Sequence, residues 1–444
     1  MESLSSIIAT TTFVAVIFFI MTEWLHLTIA AFLGALLLVF AHIMTLSEAI
    51  QYISQGYGTL ALFFGVMVLV RSFEPTQVFE YIATKIVIIS QGNGKLLLLG
   101  IVGITTIICA ILPNATTVML LAPLMPPLAA EIGIDFVPLL ILMVFCANSA
   151  GLLTLVGDPA TYIVGDAINI SFVDYLTRLS LGGALAVGVI ILMLPLLFPK
   201  IWHHKFENLD LPHPEINHPR TLIVGCLIVA FVLIFFVIGD SLPIPISPAA
   251  VALMGAALAL LLAHHNKIDT LHNILRDIDW STLLFFMCVF VLIGGLQKTG
   301  VIQSLSGILA TILGQNIAFG SLLLLVVIGI SSAVIPNIPL VAAMVPLLKQ
   351  YLVNVGLVGS EVLDSQFSGQ FPPTVLPLFY AMMYGATLGG NGTLVGASAN
   401  IVAAGISELH GQSISFHRFL RYGLPLTIVQ LLTVMVYLTV VFLL

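Results

Sequence analysis

The sequence predicts an all-α polytopic membrane protein built from two inverted repeats. Composition comes first: 60% of the 444 residues are hydrophobic and 7% are charged, against roughly 25% charged in soluble proteins. That leaves too little polar surface for a soluble enzyme, a nucleic-acid binder or a disordered chain. Second, the apolar runs are continuous and long, whereas a β-barrel would alternate over segments of about ten residues. Third, the chain repeats itself. Ala41-His42 recurs as Ala263-His264, Leu62-Phe63-Phe64 as Leu284-Phe285-Phe286, Pro113-Asn114 as Pro336-Asn337, and Pro123 as Pro346, all 222 or 223 residues apart. Thr154-Leu155-Val156-Gly157 recurs as Thr393-Leu394-Val395-Gly396, 239 apart because 354–371 is an insertion. The units run over 6–198 and 220–444, joined by a polar linker, 199–219.

A membrane helix takes about 20 apolar residues. Runs of that order are 7–22, 27–46, 57–72, 96–112, 179–198, 221–238, 247–263, 281–297, 318–335 and 424–444. Residues 1–6 carry no Lys or Arg, so the first run reads as a span and not as a cleaved leader. The shorter stretches 76–91 and 301–313 are counted as crossings, which gives seven per unit, the odd number that inversion requires. Lys and Arg then set the orientation. Arg71, Lys200, Lys205, Arg220, Lys267, Arg276, Arg418 and Arg421 fall inside with the linker; Lys95, Arg178, Lys298 and Lys349 fall outside, and Lys85 lies in a span. Glu74, Glu80 and Lys85 read as structural or interfacial, and Asp166, Asp174 and Arg178 as loop residues. The four cysteines (Cys109, Cys146, Cys226, Cys288) sit in apolar runs without metal-ligand spacing and read as reduced packing residues. His203, His204, His213, His218, His264 and His265 read as solvated loop histidines.

Irregular backbone at membrane depth is tolerated only where protein or a water-filled cavity surrounds it. Four Pro/Gly/Asn breaks interrupt apolar runs, within 113–130, 136–167, 336–353 and 372–406. The first is Pro113-Asn114-Ala115-Thr116-Thr117 with Pro123, Pro126 and Pro127; its mate is Pro336-Asn337-Ile338-Pro339 with Pro346. The third runs from Asn148-Ser149-Ala150-Gly151 through Thr154 to Gly157-Asp158-Pro159-Ala160-Thr161. The fourth is Gly389-Gly390-Asn391-Gly392-Thr393 through Gly396-Ala397-Ser398-Ala399-Asn400. Asn and Thr oxygens with freed carbonyls can replace the hydration shell of Na⁺. Half-helices starting at such breaks point positive dipole ends into the same space, which favours an anion. The candidate substrate- and cation-binding residues are therefore Asn114, Thr116, Thr117, Thr154, Gly157, Asp158, Thr161, Asn337, Asn391, Gly392, Thr393, Ser398 and Asn400, with Na⁺ at Asn114, Asn337, Asn391 and Asn400. A single Pro or Gly is commonly a simple kink, and Asn or Thr can be interhelical glue; four symmetric breaks favour a transport site. Asp158 is an ionisable group in the membrane and so a candidate for function. It either carries a proton or caps the half-helix that Pro159 starts; its repeat mate is Ala397.

Gly389 to Asn400, with Gly405-Ile406 after it, resembles the C-terminal signature of the melanosomal P protein and the arsenite-pump-like permeases, a branch of the ion transporter superfamily related to dicarboxylate/sodium symporters. Gly157-Asp158-Pro159 resembles that group's Gly-Asp-Pro-Pro-Asn, and Asn114-Ala115-Thr116-Thr117 with Pro123 resembles its first hairpin. The resemblance implies a scaffold part and a transport part in each repeat. It implies a re-entrant hairpin with its tip at Asn114–Thr117, another near Asn337–Pro339, and broken transmembrane helices through Thr154–Thr161 and Asn391–Asn400. Homodimers and an elevator-like shift are also implied. Where relatives carry Asp before the hairpin Asn, Pro113 and Pro336 stand here. This leaves Asp158 as the main titratable group and likens the tips to the neutral tips of the sodium symporters. Thr161 replaces the Asn of Gly-Asp-Pro-Pro-Asn and Ala160 its second Pro.

The expectation is a secondary active transporter of a small anion or oxyanion coupled to Na⁺ or H⁺. Metalloid (arsenite-type) efflux comes first, sodium/proton antiport second, and sodium-coupled import of a dicarboxylate or inorganic anion third. No Arg sits at any break, which favours a neutral or weakly charged solute. Two unequal repeats supply no ring for a channel. No paired carboxylates, metal cluster or activated nucleophile suggests an enzyme, and no cofactor is expected beyond Na⁺ as coupling ion. The partners expected are the bilayer, the solute and a second copy of the chain, with no nucleic acid. The location expected is an inner or plasma membrane, crossed many times.

Overall fold

A computed structural model describes residues 2–22, 24–205, 216–364 and 367–444. His213 and the Pro-rich part of the linker therefore lie outside the described residues. Among the described residues seven helices are long and apolar enough to cross a bilayer, including Ser180–Leu197, Pro219–Ile238, Trp280–Lys298 and Phe416–Leu438. The protein is an integral, multi-pass membrane protein.

Contacts between helix ends sort the molecule into two faces. On the linker face, Asn217 donates to Thr76 O and Gln77, and Gly94 N–H donates to His204 O. There too, Arg71 pairs with Asp277 at 2.6 Å and Asp269 at 3.2 Å, and Thr28 bonds Ser281. On the far face, Lys298 pairs with Glu48, Ser6 donates to Thr299 O, and Asn169 donates to Gly369 O. The two ion pairs hold equivalent places in the two repeats, made by different residues. Each joins the end of one repeat's third span to the short helical segment before the other's third span, and they lie on opposite faces. A parallel duplication would put both on the same face, so this arrangement is the signature of inversion.

The crossing count differs from the sequence expectation. Val78–Ser90 has both ends tied to the linker, at Gln77 and at Asn93–Gly94, so it lies along the linker face. Val301–Leu313 turns by 119° into Ile317–Ser332 and stays on the far face, where Asn354 donates to Ser306 and Tyr351 to Gly314 O. Thirteen-residue apolar helices suit either role, and here tertiary bonds at their ends decide. Each repeat thus crosses five times, still an odd number. Lys95 moves to the linker face, where its ammonium lies 5.3 Å from the Trp202 ring centroid. Lys85, within Val78–Ser90, joins that face too, so eight bases against four become ten against three, which sharpens the positive-inside asymmetry.

Helix pairing follows the same two-fold relation. Leu27–Phe40 packs on Trp280–Lys298, and its mate Pro248–His265 packs on Tyr57–Arg71. Gly65 allows the second contact, because a Cβ there would stand 2.6 Å from the Ala252 carbonyl carbon. Gly94–Cys109 turns at Pro113 into Asn114–Leu121 and Met125–Glu131 and returns to the linker face; Ile317–Ser332 turns at Pro336 into Asn337–Asn354 and returns to the far face. These are the two re-entrant hairpins. Val137–Ala150 and Leu376–Gly389 stop at Gly-rich turns and resume as Pro159–Ala167 and Ser398–Leu409, the two broken spans.

Candidate functional site

Each broken span is locked to its own hairpin by the same bonds. Cys109 Sγ and its mate Ser332 Oγ donate to Ala147 O at 2.9 Å and Ala386 O at 2.5 Å. Thr154 Oγ1 donates to Ala110 O at 2.7 Å, and Thr393 Oγ1 to Ala333 O. Thr154 and Thr393 therefore pin the breaks to the hairpins. Glycines make the close crossing possible: a Cβ on Gly157 would sit 2.8 Å from Cys109 O, and one on Gly396 2.8 Å from Ser332 O. Gly392 is packed against Ala333.

The two tips and the first break meet at one carboxylate. Asp158 is fully buried in extended backbone, φ −144° and ψ 131°, and its Oδ1 accepts the Ala160 N–H at 2.7 Å as the N-cap of Pro159–Ala167. Its Oδ2 accepts from Asn114 Nδ2 at 3.3 Å and from Asn337 Nδ2 at 3.2 Å. The capping role expected of Asp158 is thus present, and the same side chain also contacts both hairpin tips. Among the described residues no Lys, Arg or His forms an ion pair with it. A charge so buried costs several kcal/mol unless something neutralises it.

A second cluster of carboxamides joins the repeats. Asn148 Oδ1 accepts from Asn114, and its Nδ2 donates to Asn391 Oδ1 at 3.1 Å and Asn400 Oδ1 at 3.0 Å. Asn391 Nδ2 donates to Ser149 Oγ at 3.1 Å and Gln430 Oε1 at 3.0 Å. Asn400 Nδ2 donates to Gly390 O and Thr393 O, both at 2.8 Å. Of the four expected Na⁺ ligands, Asn337 thus stands at Asp158, Asn391 and Asn400 at Asn148, and Asn114 bridges the two. Thr161 faces Thr387 at 3.5 Å between hydroxyls. Thr117 is buried and Thr116 half-buried, and neither joins these networks. Ser398 shares a pocket of about 20 Å³ with Asn337. Asn148, Ser149, Thr387 and Gln430 were not among the expected site residues. Thr387 is the repeat mate of Asn148, and that pairing of polar residues at matched depth was the available signal. Among the described residues no group of three His, Cys, Asp or Glu could hold a metal.

A cavity of about 580 Å³ opens on the far face, lined among others by Gln55, Thr59, Gln297, Ile163, Asp166 and Lys349. Ile163 and its opposite, Ala342, stand five residues beyond Asp158 and Asn337, so the cavity floor lies about 7.5 Å along the helices from the tips. Asp166, expected in a loop, lines this cavity.

A family model described as "Citrate transporter" matches residues 17–364. The chain belongs to the citrate transporter family. Members of similar length include an uncharacterized transporter of Synechocystis sp., 70% identical over 94% of both chains. Another, from Mycobacterium tuberculosis, is 32% identical over 98% of both. Human P protein is 28% identical over 98% of this chain and 59% of its own length, in keeping with the resemblance read from three of the breaks. Among solved structures, the YdaH transporter of Alcanivorax borkumensis superposes with a TM-score of 0.60 at 12% identity, covering 90% of this chain and 87% of its own. The family and the curated relatives make this chain a membrane transporter, and the solved structure shares its fold.

Proposed function

We propose that the protein moves a small organic anion of the carboxylate class by symport with a cation, Na⁺ or H⁺, through the space between the hairpin tips. One observation carries this reading: both tips close on the single buried carboxylate of Asp158. An anion cannot share that space with an unneutralised carboxylate, so a proton or Na⁺ must arrive with it. Half a turn of the Asn114 or Asn337 carboxamide exchanges its donor for an acceptor, the form that serves a cation. Ser398 and the uncapped start of Ser398–Leu409 then supply an anion with free N–H groups. The family description supports a carboxylate over a metalloid oxyanion, and the absence of a base at the tips supports a solute that travels with its cations. Sodium/proton antiport is the second reading, favoured by Asp158 being an acid without an ionic partner. Inversion with ten bases on one side supports a cytoplasmic linker face, and the resemblance at the breaks supports a homodimer.

The test is uptake into proteoliposomes under imposed Na⁺ or H⁺ gradients, with citrate, smaller dicarboxylates and arsenite as solutes. Gradient-driven uptake of a carboxylate that disappears in Asp158→Asn is expected. Uptake that survives that change undiminished, or Na⁺/H⁺ exchange with no carboxylate flux, refutes the symport reading.

A further inference from the structure

At the linker-face end of the packed helices Ser180–Leu197 and Phe416–Leu438 lies a cleft of about 470 Å³, remote from the hairpin tips. Lys200, Arg418 and Arg421 line it against one acid, Asp135, which accepts a hydrogen bond from Arg418. Among the described residues no carboxylate forms an ion pair with Lys200 or Arg421. Phe198 and Tyr422, stacked with centroids 5.2 Å apart and planes 12° apart, form an apolar wall.

The cleft continues into an apolar rail. Leu424 and Ile428 follow Arg421 at i+3 and i+7, on one helical face, and they are 47% and 49% exposed. Across the seam Leu192 and Leu196, one turn apart, are 77% and 76% exposed. The rail runs from the cleft toward the bilayer centre. Two bases that form no ion pair among the described residues, at interfacial depth with an exposed apolar track beside them, match a molecule that carries phosphate at one end and acyl chains at the other. A free phosphate would use the bases alone, and a zwitterionic headgroup would bring its own cation to the phosphate.

The geometry points to a binding site for the headgroup of an anionic phospholipid, with Lys200 and Arg421 on the phosphate and the acyl chains along Leu192, Leu196, Leu424 and Ile428. Arginine suits the phosphate through its planar fork of donors, and basic pockets between membrane helices at the cytoplasmic surface hold such headgroups.

Native mass spectrometry of the purified full-length protein in detergent tests this, by titration with phosphatidylglycerol, with phosphatidylcholine of the same chains, and with inorganic phosphate as competitor. Phosphatidylglycerol should bind on the order of 30-fold more weakly to the Lys200→Gln/Arg421→Gln double variant than to wild type, since two surface charges are lost. Arg421→Lys should keep most of the affinity. Should the double variant fail to fold, Arg421→Gln alone should give a partial loss. Equal binding of phosphatidylcholine and phosphatidylglycerol overturns the proposal. So does a variant that binds like wild type, or complete displacement by inorganic phosphate, which would mark a site for a free anion.

Discussion

Pro159–Ala167 and Ser398–Leu409 start from turns of the same shape. A Cβ on Gly157 or on Gly396 would stand the same 2.8 Å from a backbone oxygen, and Asp158 and Ala397 share φ −144° with ψ 131° and 148°. Their chemistry differs. Asp158 caps its half-helix and collects both hairpin asparagines, whereas Ala397 has no side-chain oxygen to offer and leaves its helix start uncapped. The first tip is also tied down, its Asn114 N–H donating to Gly157 O at 3.1 Å. Duplication therefore conserved the backbone crossing, and the chemistry resides in the positions where the copies diverged. One half-helix holds negative charge of its own, and the other is free to receive it.

Substitutions that erase or transfer this difference should have the largest effects. Asn caps a helix about as well as Asp, so Asp158→Asn should cut gradient-driven uptake by on the order of 100-fold or more while leaving thermal stability within about 1 kcal/mol. Ala397→Asp, which gives the second half-helix the charge of the first, should repel the anion and raise its apparent KM by on the order of tenfold. Next come the tips. Asn114→Ala and Asn337→Ala each remove one hydrogen bond to a carboxylate, worth about 1.5–3 kcal/mol, and each should weaken the coupling cation by on the order of 10- to 100-fold, read from the cation dependence of uptake. If only Asn114 matters, the two tips do not share Asp158. Gly157→Ala and Gly396→Ala test the conserved backbone. Each places a Cβ against a carbonyl oxygen, and each should lower stability by about 1–3 kcal/mol to a similar extent, measured by thermal unfolding in detergent.

The smallest effect belongs to the scaffold. Glu48 is held at about 2 by hydrogen bonds from Lys298 and from the Thr45 backbone. A carboxyl lowered in this way contributes stability that is complete above its ordinary value of 4.5 and lost as pH falls through about 2. The small gap in Tm between wild type and Glu48→Gln should therefore stay constant between about pH 8 and 5.

The fold was legible because hydropathy, matched anchors and Pro/Gly/Asn breaks all survive in one dimension. Pro113 and Pro336, in extended backbone, fix where the hairpins turn, and their spacing alone marks them as mates. Val78–Ser90 and Val301–Leu313 were misread as crossings because composition does not record orientation; bonds to the linker and to Asn354 settle it. In the site, Asn114, Asp158 and Asn337 were legible as polar groups where hydrocarbon forbids them. Gln430 was hidden in a 23-residue apolar helix whose average hydropathy absorbs one amide. In sequence Asp166 reads as a loop residue because its half-helix is short, yet it lines the far-face cavity.

Inversion carries a consequence for the protein's two doors. The open cavity is lined by Lys349 and Asp166, and the same offsets that relate the anchors carry these residues to Pro126 and Gly405 on the other copy. Exchanging the roles of the copies would open a mouth toward the linker with no charge at either place. A solute would then leave water past an ammonium and a carboxylate on one side of the membrane and past bare backbone on the other, so the two entrances would select and hold it unequally even if the middle were perfectly symmetric.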